Sequence, residues 1–537
     1  MHRPRTRQSL ADLSAIDRRR LLLAAGGGAA ALAFGLQRPA TAASPTTPRL
    51  PDHPFTLGVA SGDPTHNAVV LWTRLAPQPL APAGGMPTLR PVPVRWEVAT
   101  DERFRRVVRD GVAHAHPEYS YSVHVDVRGL RPATEYWYRF SVGGHRTAPA
   151  RTRTAPAPGS MPAELRFAFA SCMNYRAGYF QAMGGIAAED VDVVFFLGDY
   201  VYEYPVEQIF PGRAIPADLP AEVLPETVTL EQYRLRYGLY KSQPEVIAAH
   251  QNAPWVMMWD DHEVANDYGT DTEAELLRQA AGYRAFWEHM PLRPPQRPVG
   301  PQARLYRRLR YGDLAQFDLL DARQYRSPGL PGGSTADTPE RRDPTRSILG
   351  FEQEKWFVDG LSRPGPRWHV APQGVLMAMV NTAASTDAAP RFSTGAWDGY
   401  QASQKRIYDA VARAQRKGSL SNFVVLTGDV HCGYVSELPS DLDDPLSAPI
   451  GTEFTSLSIS SARDFDPAAN AARQVRVRVN PQMKWADLHC GYAVGSLTPD
   501  AMTITYRGVD RVSTPLDPVY SLSRFVVESG KPRVHPA

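Results

Sequence analysis

Apolar residues at every second position dominate the chain between Pro54 and about Pro156. Three runs alternate in this way, and a fourth is short and continuously apolar: Val92–Val98, Tyr121–Val127, Tyr136–Val142 and Ala68–Trp72. Turn residues bound each run. Alternation with a period of two over short segments is typical of strands that bury one face. The pattern therefore predicts an all-β sandwich of antiparallel strands over residues 52–155.

Beyond a linker rich in Pro, Thr and Arg, the apolar runs become continuous. The six clearest runs are Leu165–Cys172, Val191–Asp199, Trp255–Asp261, Leu314–Asp321, Trp368–Met379 and Phe423–His431. Continuous runs suit strands that are buried on both faces. Helical patterns lie between them, at Thr229–His250, Glu273–His289, Gly350–Leu361 and Trp397–Arg416. We therefore predict a layered α/β domain over residues 162–515, with β-sheets flanked by helices. For the C-terminal segment, 516–537, a helix near the active site is one interpretation.

The N-terminus has the order of an export leader. Arg18-Arg19-Arg20 precedes an apolar run that is rich in Ala and Gly, and Ala40-Thr41-Ala42 follows it. The run, from Leu21 to Leu36, holds about 16 residues, which is short of the roughly 20 that a membrane span needs. The pattern resembles a twin-arginine leader, with an ordinary secretory leader or an anchor as alternatives. It predicts removal of residues 1–43 and export through the twin-arginine machinery to the periplasm, the cell wall or the medium. No later stretch is apolar enough to anchor the mature chain in a membrane.

Charge and cysteine content narrow the function classes. The net charge of +3 comes from scattered residues, without the basic stripe of a nucleic-acid-binding protein. Three cysteines exclude a full disulfide framework. Cys432 and Cys490 either pair or remain separate buried thiols, and the sequence leaves this open.

Chemically reactive side chains end four of the continuous runs. These ends are Ser171-Cys172 with Asn174, Gly198–Tyr202, Asp260–Glu263 with Asn266-Asp267, and Gly428–His431. Ligand sites in α/β sheets gather at the carboxyl ends of strands, so we expect these groups to converge. So many carboxylates cannot stay ionised together without cations. The sequence therefore predicts a metal site.

The types of donor suggest two kinds of metal. Cys, Tyr and His donors suit a transition metal, and phenolate favours ferric iron. Asp and Asn oxygens favour a hard cation such as Ca²⁺, Mg²⁺ or Mn²⁺. Two cations about 3.5–4 Å apart clamp a phosphate and deprotonate a water for in-line attack. His262 would protonate or stabilise the leaving alkoxide.

Several phrases together resemble PhoD-type alkaline phosphatases, which belong to the calcineurin-like metallophosphoesterases. The phrases are Phe55–Pro64, Phe169–Cys172, Leu197–Tyr204, Trp259–Tyr268, Leu320–Arg326, Trp397–Tyr400, Gly428–Glu437 and Phe525–Pro532. The resemblance runs from about residue 52 to 535. It implies an Ig-like N-terminal domain, a metallophosphoesterase domain and an exported hydrolase of phosphate esters.

The resemblance also implies a centre of Fe³⁺ and Ca²⁺. Iron would be bound by Cys172, Tyr202 and His431. Asp199 would bridge the two metals, and Asp429 would face the second. Asp261 and Asn266 remain alternative ligands of the second metal. His262 stands at the position of the catalytic His, and Gln373 replaces a His ligand that is usual in phosphoesterases.

Arg323 and Arg326 follow the run Leu314–Asp321 and are candidate phosphate-binding residues. Arginine pairs bidentately with phosphate, which favours this role. Structural salt bridges are the alternative.

The sequence as a whole predicts hydrolysis of phosphomonoesters and phosphodiesters outside the cytoplasm, by a metal-bound hydroxide that attacks phosphorus in line. Small or polymeric phosphate esters are the expected substrates, and we expect a monomer without a specific nucleic-acid partner. One alternative is a dedicated phosphodiesterase or a phospholipase D-like enzyme. Another is a non-catalytic exported protein that binds phosphate or metal. An adhesion role for the sandwich is disfavoured because the reactive residues lie outside it.

Overall fold

A computed structural model describes residues 50, 52–269, 272–330 and 335–537. The predicted leader lies outside these residues. Within the described ranges, no helix has both the length and the apolar character needed to cross a membrane.

The N-terminal region is entirely β. Its strands are β1 (Val59–Thr65), β2 (Ala68–Arg74), β3 (Val92–Ala99), β4 (Val107–Ala115), β5 (Ser122–Arg128), β6 (Glu135–Val142), β7 (His145–Arg146) and β8 (Ala150–Arg153). β1, β2 and β5 lie side by side, and β4, β3, β6, β7 and β8 form a second sheet. Alternate apolar residues of both sheets, such as Val69 of β2 and Val94 of β3, share one core. The predicted all-β sandwich is confirmed.

Beyond residue 162, strands alternate with helices, as the apolar pattern predicts. The elements up to residue 319 are β9 (Leu165–Ala170), α1 (Gln181–Ala188), β10 (Val193–Leu197), α2 (Leu230–Lys241), α3 (Pro244–Asn252), β11 (Pro254–Met258), α4 (Glu273–His289), β12 (Arg307–Tyr311) and β13 (Ala315–Leu319). The helical pattern over Thr229–His250 is two helices. Pro244 begins the second one, because proline fits the first helical turn but not a helix interior.

The remaining elements complete two large sheets. They are β14 (Thr335–Ala336), α5 (Gly350–Leu361), β15 (Trp368–Gln373), β16 (Arg391–Phe392), α6 (Gln401–Arg416), β17 (Asn422–Thr427), β18 (Gly433–Asp441), β19 (Asp444–Thr455), α7 (Pro467–Arg473), α8 (Val475–Val479), β20 (Met483–Asp487), β21 (Cys490–Leu497), β22 (Ala501–Val509), β23 (Tyr520–Glu528) and β24 (Val534–Pro536). A short 3₁₀ turn, Trp397–Tyr400, precedes α6.

The two large sheets pack face to face. One has the strand order β24-β23-β22-β21-β9-β10-β11-β1-β2-β5, and the other has the order β12-β13-β15-β17-β19-β18-β20. Phe167 and Phe195 of the first sheet meet Phe317 and Leu426 of the second in a shared core. Helices α1–α4 cover the outer face of the first sheet, and α5 and α6 cover the second. The predicted layered α/β architecture is confirmed.

The N-terminal region shares a sheet with the α/β region. β1 pairs in parallel with β11, through Ser61 with Pro254 and Gly62 with Trp255. Trp72 of β2 also donates from Nε1 to the carbonyl oxygen of Glu288, at 2.9 Å. The sandwich is therefore continuous with the first large sheet by main-chain hydrogen bonds.

One expectation needs correction, and one alternative that the sequence left open is decided. Residues 520–528 and 534–536 form β23 and β24, which extend the sheet beyond β22, so the interpretation of the C-terminal segment as a helix is wrong. The reason is an alternation at Phe525 and Val527, both buried, which fits a strand. Cys432 and Cys490 are free, buried thiols and do not pair.

Candidate metal centre

Four predicted site residues lie in loops that directly follow strands, and all four have left-handed backbone conformations. Cys172 follows β9 with φ 60°, Asp199 follows β10 with φ 57°, and Asp429 and His431 follow β17 with φ 65° and 53°. Residues other than glycine adopt such angles at a cost of about 1–3 kcal/mol each. Their concentration at neighbouring strand ends marks a functional site.

Glu263 ties two of these loops together. Its buried carboxylate accepts backbone N–H groups from Asp199 at 3.1 Å, Tyr200 at 2.6 Å and Asp260 at 2.8 Å. Burial raises the pKa of Glu263 to about 7, although these hydrogen bonds oppose the shift. Gly198 lets the loops approach, because a Cβ there would lie 2.4 Å from the Cβ of Asp260. The backbone at Asp199 is thus held in place by the Glu263 carboxylate.

The predicted iron ligands lie close together. Donor atoms of Cys172, Asp199 and His431 all lie within 4.8 Å of one another. The Tyr202 hydroxyl donates to Asp199 Oδ2 at 3.0 Å and lies 2.9 Å from His431 Nε2. The arrangement brings a thiol, a phenol, an imidazole and a carboxylate to one point.

Two further groups of donors adjoin the first. Asp199, Asp261 and His262 form one, and Asp260, Asp261 and Asp429 form the other, each with donor atoms within 4.8 Å. Asp199 is therefore common to the first two groups, and Asp261 is common to the last two. The carboxylates form a continuous acidic cluster beside the Cys172 thiol.

Asn266 and Gln373 each have a side-chain hydrogen bond to a residue outside the three donor groups. Asn266 is exposed, and its Oδ1 accepts a hydrogen bond from the Tyr204 hydroxyl at 3.3 Å. The Oε1 of Gln373 is engaged by Trp397 Nε1 at 2.8 Å. Of the two alternatives for the second metal, Asp261 lies in the acidic cluster and Asn266 lies at the rim.

The chemistry of the donors fits cations. Burial, followed by the Asp199 charge, raises the pKa of the Cys172 thiol well above its ordinary value. Burial also raises the pKa of Asp199 well above its ordinary value; His262 opposes this shift and Asp261 adds to it. Without positive charge these groups would take up protons, whereas a bound cation would keep them as anionic ligands. Soft donors on one side of Asp199 and carboxylates on the other suit two adjacent metals of different type.

Arg323 lies within the acidic cluster and is only 3% exposed. Its guanidinium donates to both carboxylate oxygens of Asp260, at 2.6 and 2.9 Å, and to Asp429 Oδ1 at 2.7 Å. A further donor reaches Asp267 Oδ1 at 3.0 Å. Arg326 donates to the carbonyl oxygens of Asp267 and Tyr268, at 2.9 and 2.8 Å. Both arginines thus have protein partners, and Arg323 acts as a counter-charge for the cluster.

His262 is oriented by a carboxylate that sequence reasoning missed. Its Nδ1 lies 2.7 Å from Oε2 of Glu203, whose Oε1 accepts the backbone N–H of Asn266 at 2.8 Å. The ring stacks on Tyr202, with centroids 4.1 Å apart. Burial lowers the pKa of His262, but the Asp199 charge and the Glu203 hydrogen bond outweigh it and raise the pKa to about 10.

Ser461 is a second residue that the sequence did not reveal. Its Oγ lies 2.9 Å from the carbonyl oxygen of Cys172 and 2.9 Å from the Tyr202 hydroxyl. The residue lies in the loop after β19, where no apolar run points to a site. It connects two of the predicted iron ligands, Cys172 and Tyr202.

Comparison with known proteins identifies the family. The family model described as "PhoD-like phosphatase" matches residues 167–506, and "PhoD-like phosphatase, N-terminal domain" matches residues 40–156. Alkaline phosphatase D of Bacillus subtilis (strain 168) is 41% identical over 490 residues, which cover 90% of this chain and 82% of that protein. A solved structure of PhoD matches with a TM-score of 0.85 and 40% identity, over 91% of this chain and 93% of that one. The motif resemblance is confirmed, and the chain belongs to the PhoD-like phosphatase family.

Proposed function

We propose that this chain hydrolyses phosphate esters at a centre of two cations held by the strand-end loops. As a PhoD-like phosphatase, it is a phosphoric ester hydrolase. The observation that carries the two-cation proposal is the shared carboxylate of Asp199. It belongs both to the group with Cys172 and His431 and to the group with Asp261 and His262.

The donors divide by chemical type. Cys172, Tyr202 and His431 would hold Fe³⁺, since thiolate, phenolate and imidazole are strongly donating ligands. Asp261 and Asp429 would hold Ca²⁺ through hard oxygens. When bound, the two cations supply positive charge for the phosphate oxygens and lower the pKa of water.

His262 would donate the proton that the leaving oxygen requires. Glu203 holds the imidazole from its Nδ1 side at 2.7 Å, which leaves Nε2 for the leaving group. Arg323 keeps the carboxylates of Asp260 and Asp429 in place while their charges face each other.

The family match does not favour the dedicated phosphodiesterase or phospholipase D-like alternative. The presence of both His262 and Glu203 favours catalysis over metal or phosphate binding alone. We also propose that the chain is exported as a monomer through the twin-arginine route, to the periplasm or beyond. The order of Arg18–Arg20, a short apolar run and Ala40–Ala42 supports this route.

The test combines metal analysis, a visible spectrum and turnover on the purified chain. We expect iron and calcium, a charge-transfer band, and hydrolysis of both 4-nitrophenyl phosphate and bis(4-nitrophenyl) phosphate. His262→Ala should retain the metals and lose turnover. A colourless zinc protein with full activity would refute the ferric assignment. A fully metal-loaded protein that hydrolyses neither ester would refute the proposed function.

A further inference from the structure

A groove of about 620 Å³ lies beside the candidate metal centre. Helix α4, the loop over residues 295–304 and the segment after β13 form its walls. Its lining includes four arginines, Arg297, Arg304, Arg323 and Arg326, and among the described residues no Asp or Glu lines it. Arg323 belongs to both places, because the same guanidinium contacts Asp429 in the acidic cluster. A molecule in this groove would therefore lie next to the centre.

The positive charge of the groove is not fully compensated. Arg323 is paired with carboxylates, and Arg326 lies 3.8 Å from Asp267 Oδ1. Arg297 and Arg304 are exposed, and neither forms an ion pair with any carboxylate in the described ranges. Two arginines that line the groove therefore have no carboxylate partner among the described residues.

Arg297 and Arg304 are positioned by contacts with aromatic rings, and neither donates a hydrogen bond to a carboxylate within the described ranges. The guanidinium carbon of Arg304 lies 4.8 Å from the centre of the Tyr306 ring. That of Arg297 lies 5.8 Å from the centre of the Tyr119 ring, and its Nη1 contacts the Tyr119 hydroxyl at 3.2 Å. A guanidinium group held beside an aromatic ring keeps N–H groups for an anion, and phosphate favours bidentate contacts with arginine.

The loop that carries Arg304 is fixed from several directions. Gln324 Nε2 and the Tyr325 hydroxyl both donate to the carbonyl oxygen of Ala303, at 2.6 and 2.7 Å. Gln279 of α4 donates to the carbonyl oxygen of Pro301 at 2.7 Å. These contacts come from two different walls of the groove. The arginine site is therefore built into the fold, unlike arginines on an unattached surface loop.

We propose that this groove binds a second anionic group of the substrate, such as a further phosphate, while the reacting phosphate lies at the metal centre. The inference rests on the proposed function and adds a substrate class: phosphate esters that carry another phosphate. Selectivity arises because Arg297 and Arg304 gain a partner only when the substrate has the second charge. An ester with a single phosphate group leaves both arginines in water and gains nothing from them.

The test compares inhibition of 4-nitrophenyl phosphate hydrolysis by thymidine 5′-phosphate and by thymidine 3′,5′-bisphosphate. The wild-type enzyme should bind the bisphosphate about ten-fold more tightly, as expected for a charge-assisted hydrogen bond to phosphate. The double variant Arg297→Ala/Arg304→Ala should lose this preference and hydrolyse 4-nitrophenyl phosphate at the wild-type rate. Arg103→Ala, an exposed arginine of the N-terminal region, is the matched control and should retain the preference.

Equal inhibition constants for the two nucleotides in the wild type, or an unchanged preference in the folded double variant, overturn the inference. Thermal unfolding establishes that both variants are folded. If the wild type does not hydrolyse 4-nitrophenyl phosphate, the proposed function fails, and calorimetric titration with the same two nucleotides then decides the groove. The inference is supported if the wild type binds the bisphosphate more tightly than the monophosphate and the double variant does not. Equal binding of the two nucleotides by the wild type overturns it.

Discussion

The imidazole Nδ1 of His262 lies 2.7 Å from the carboxylate Oε2 of Glu203, in a position where both side chains are buried. The carboxylate is held in turn by the backbone N–H of Asn266 at 2.8 Å. A buried carboxylate stabilises the protonated form of an adjacent imidazole. The pair therefore fixes the orientation of the proposed proton donor and favours its charged form.

Glu203→Gln should lower kcat by about ten- to a hundred-fold, the usual loss when a supporting carboxylate is removed. The amide keeps the size of the side chain but loses the charge that favours the imidazolium. Steady-state kinetics and metal analysis of the same sample check this. Glu207→Gln, at an exposed pair with Arg176, is the control and should remain fully active. If metal content fell in parallel with activity, Glu203 would act by supporting the metal centre and not by orienting His262.

Cys172→Ser should lower iron content and remove the thiolate part of the visible absorption, since a hydroxyl is a much weaker donor than a thiolate. The fold should persist because the two side chains are nearly equal in size. Cys490→Ala is the comparison, because that buried thiol contacts the carbonyl oxygen of Arg463 and none of the three donor groups. Identical spectra of wild type and Cys172→Ser would exclude a Cys172–iron bond.

Arg323→Met should destabilise the chelator-treated protein by about 3–5 kcal/mol, because it leaves buried carboxylates without their partner. Urea unfolding with and without metals measures the effect. Bound cations should reduce the loss, since they supply the missing positive charge. Arg342→Met, at an exposed pair with Asp337, should cost at most about 1 kcal/mol. Equal losses at the two positions would contradict the role of Arg323 as a counter-charge.

Lys241→Met should stabilise the protein near pH 6.5, and the gain should shrink as the pH rises. Burial lowers the pKa of Lys241 to about 7, from 10.5. Below pH 7, Lys241 is charged in both states, so the folded protein bears the whole cost of burying the charge. Between pH 7 and 10.5 the unfolded chain binds more protons than the folded one, so wild-type stability rises. Urea midpoints of both proteins at pH 6.5 and 9.5 check this; a constant difference would contradict it.

The strand-end residues were predictable from the sequence because each ends a continuous apolar run. Cys172 and Asp199 follow neighbouring parallel strands, β9 and β10, so the topology alone brings them together. The types of donor group at the site were predictable for the same reason, since the sequence gives the side chains at the end of each run. Membership of Asp261 in the acidic cluster required the structure, because Asn266 lies only five positions away.

Contacts between segments that are distant along the chain could not be predicted from the sequence. Ser461 meets Tyr202 across 259 positions, in a loop without any apolar pattern. Arginine is a common phosphate-binding residue, so the sequence suggested that role for Arg323. Its four hydrogen bonds to carboxylates depend instead on how three loops pack. The strand at Tyr520–Glu528 shows little alternation in its first half, so its β structure depends on pairing with β22.

The sheet that carries Cys172 and Asp199 can be completed only after nearly the whole chain has been synthesised. β1 pairs with β11, which is synthesised about 190 residues later. β9 pairs with β21, through Phe169 and Ala493, which are even further apart in the chain. While it is still on the ribosome, the nascent chain would expose unpaired edges of β1 and β9. The edge of β9 that faces β21 therefore stays unpaired until residue 497 has emerged.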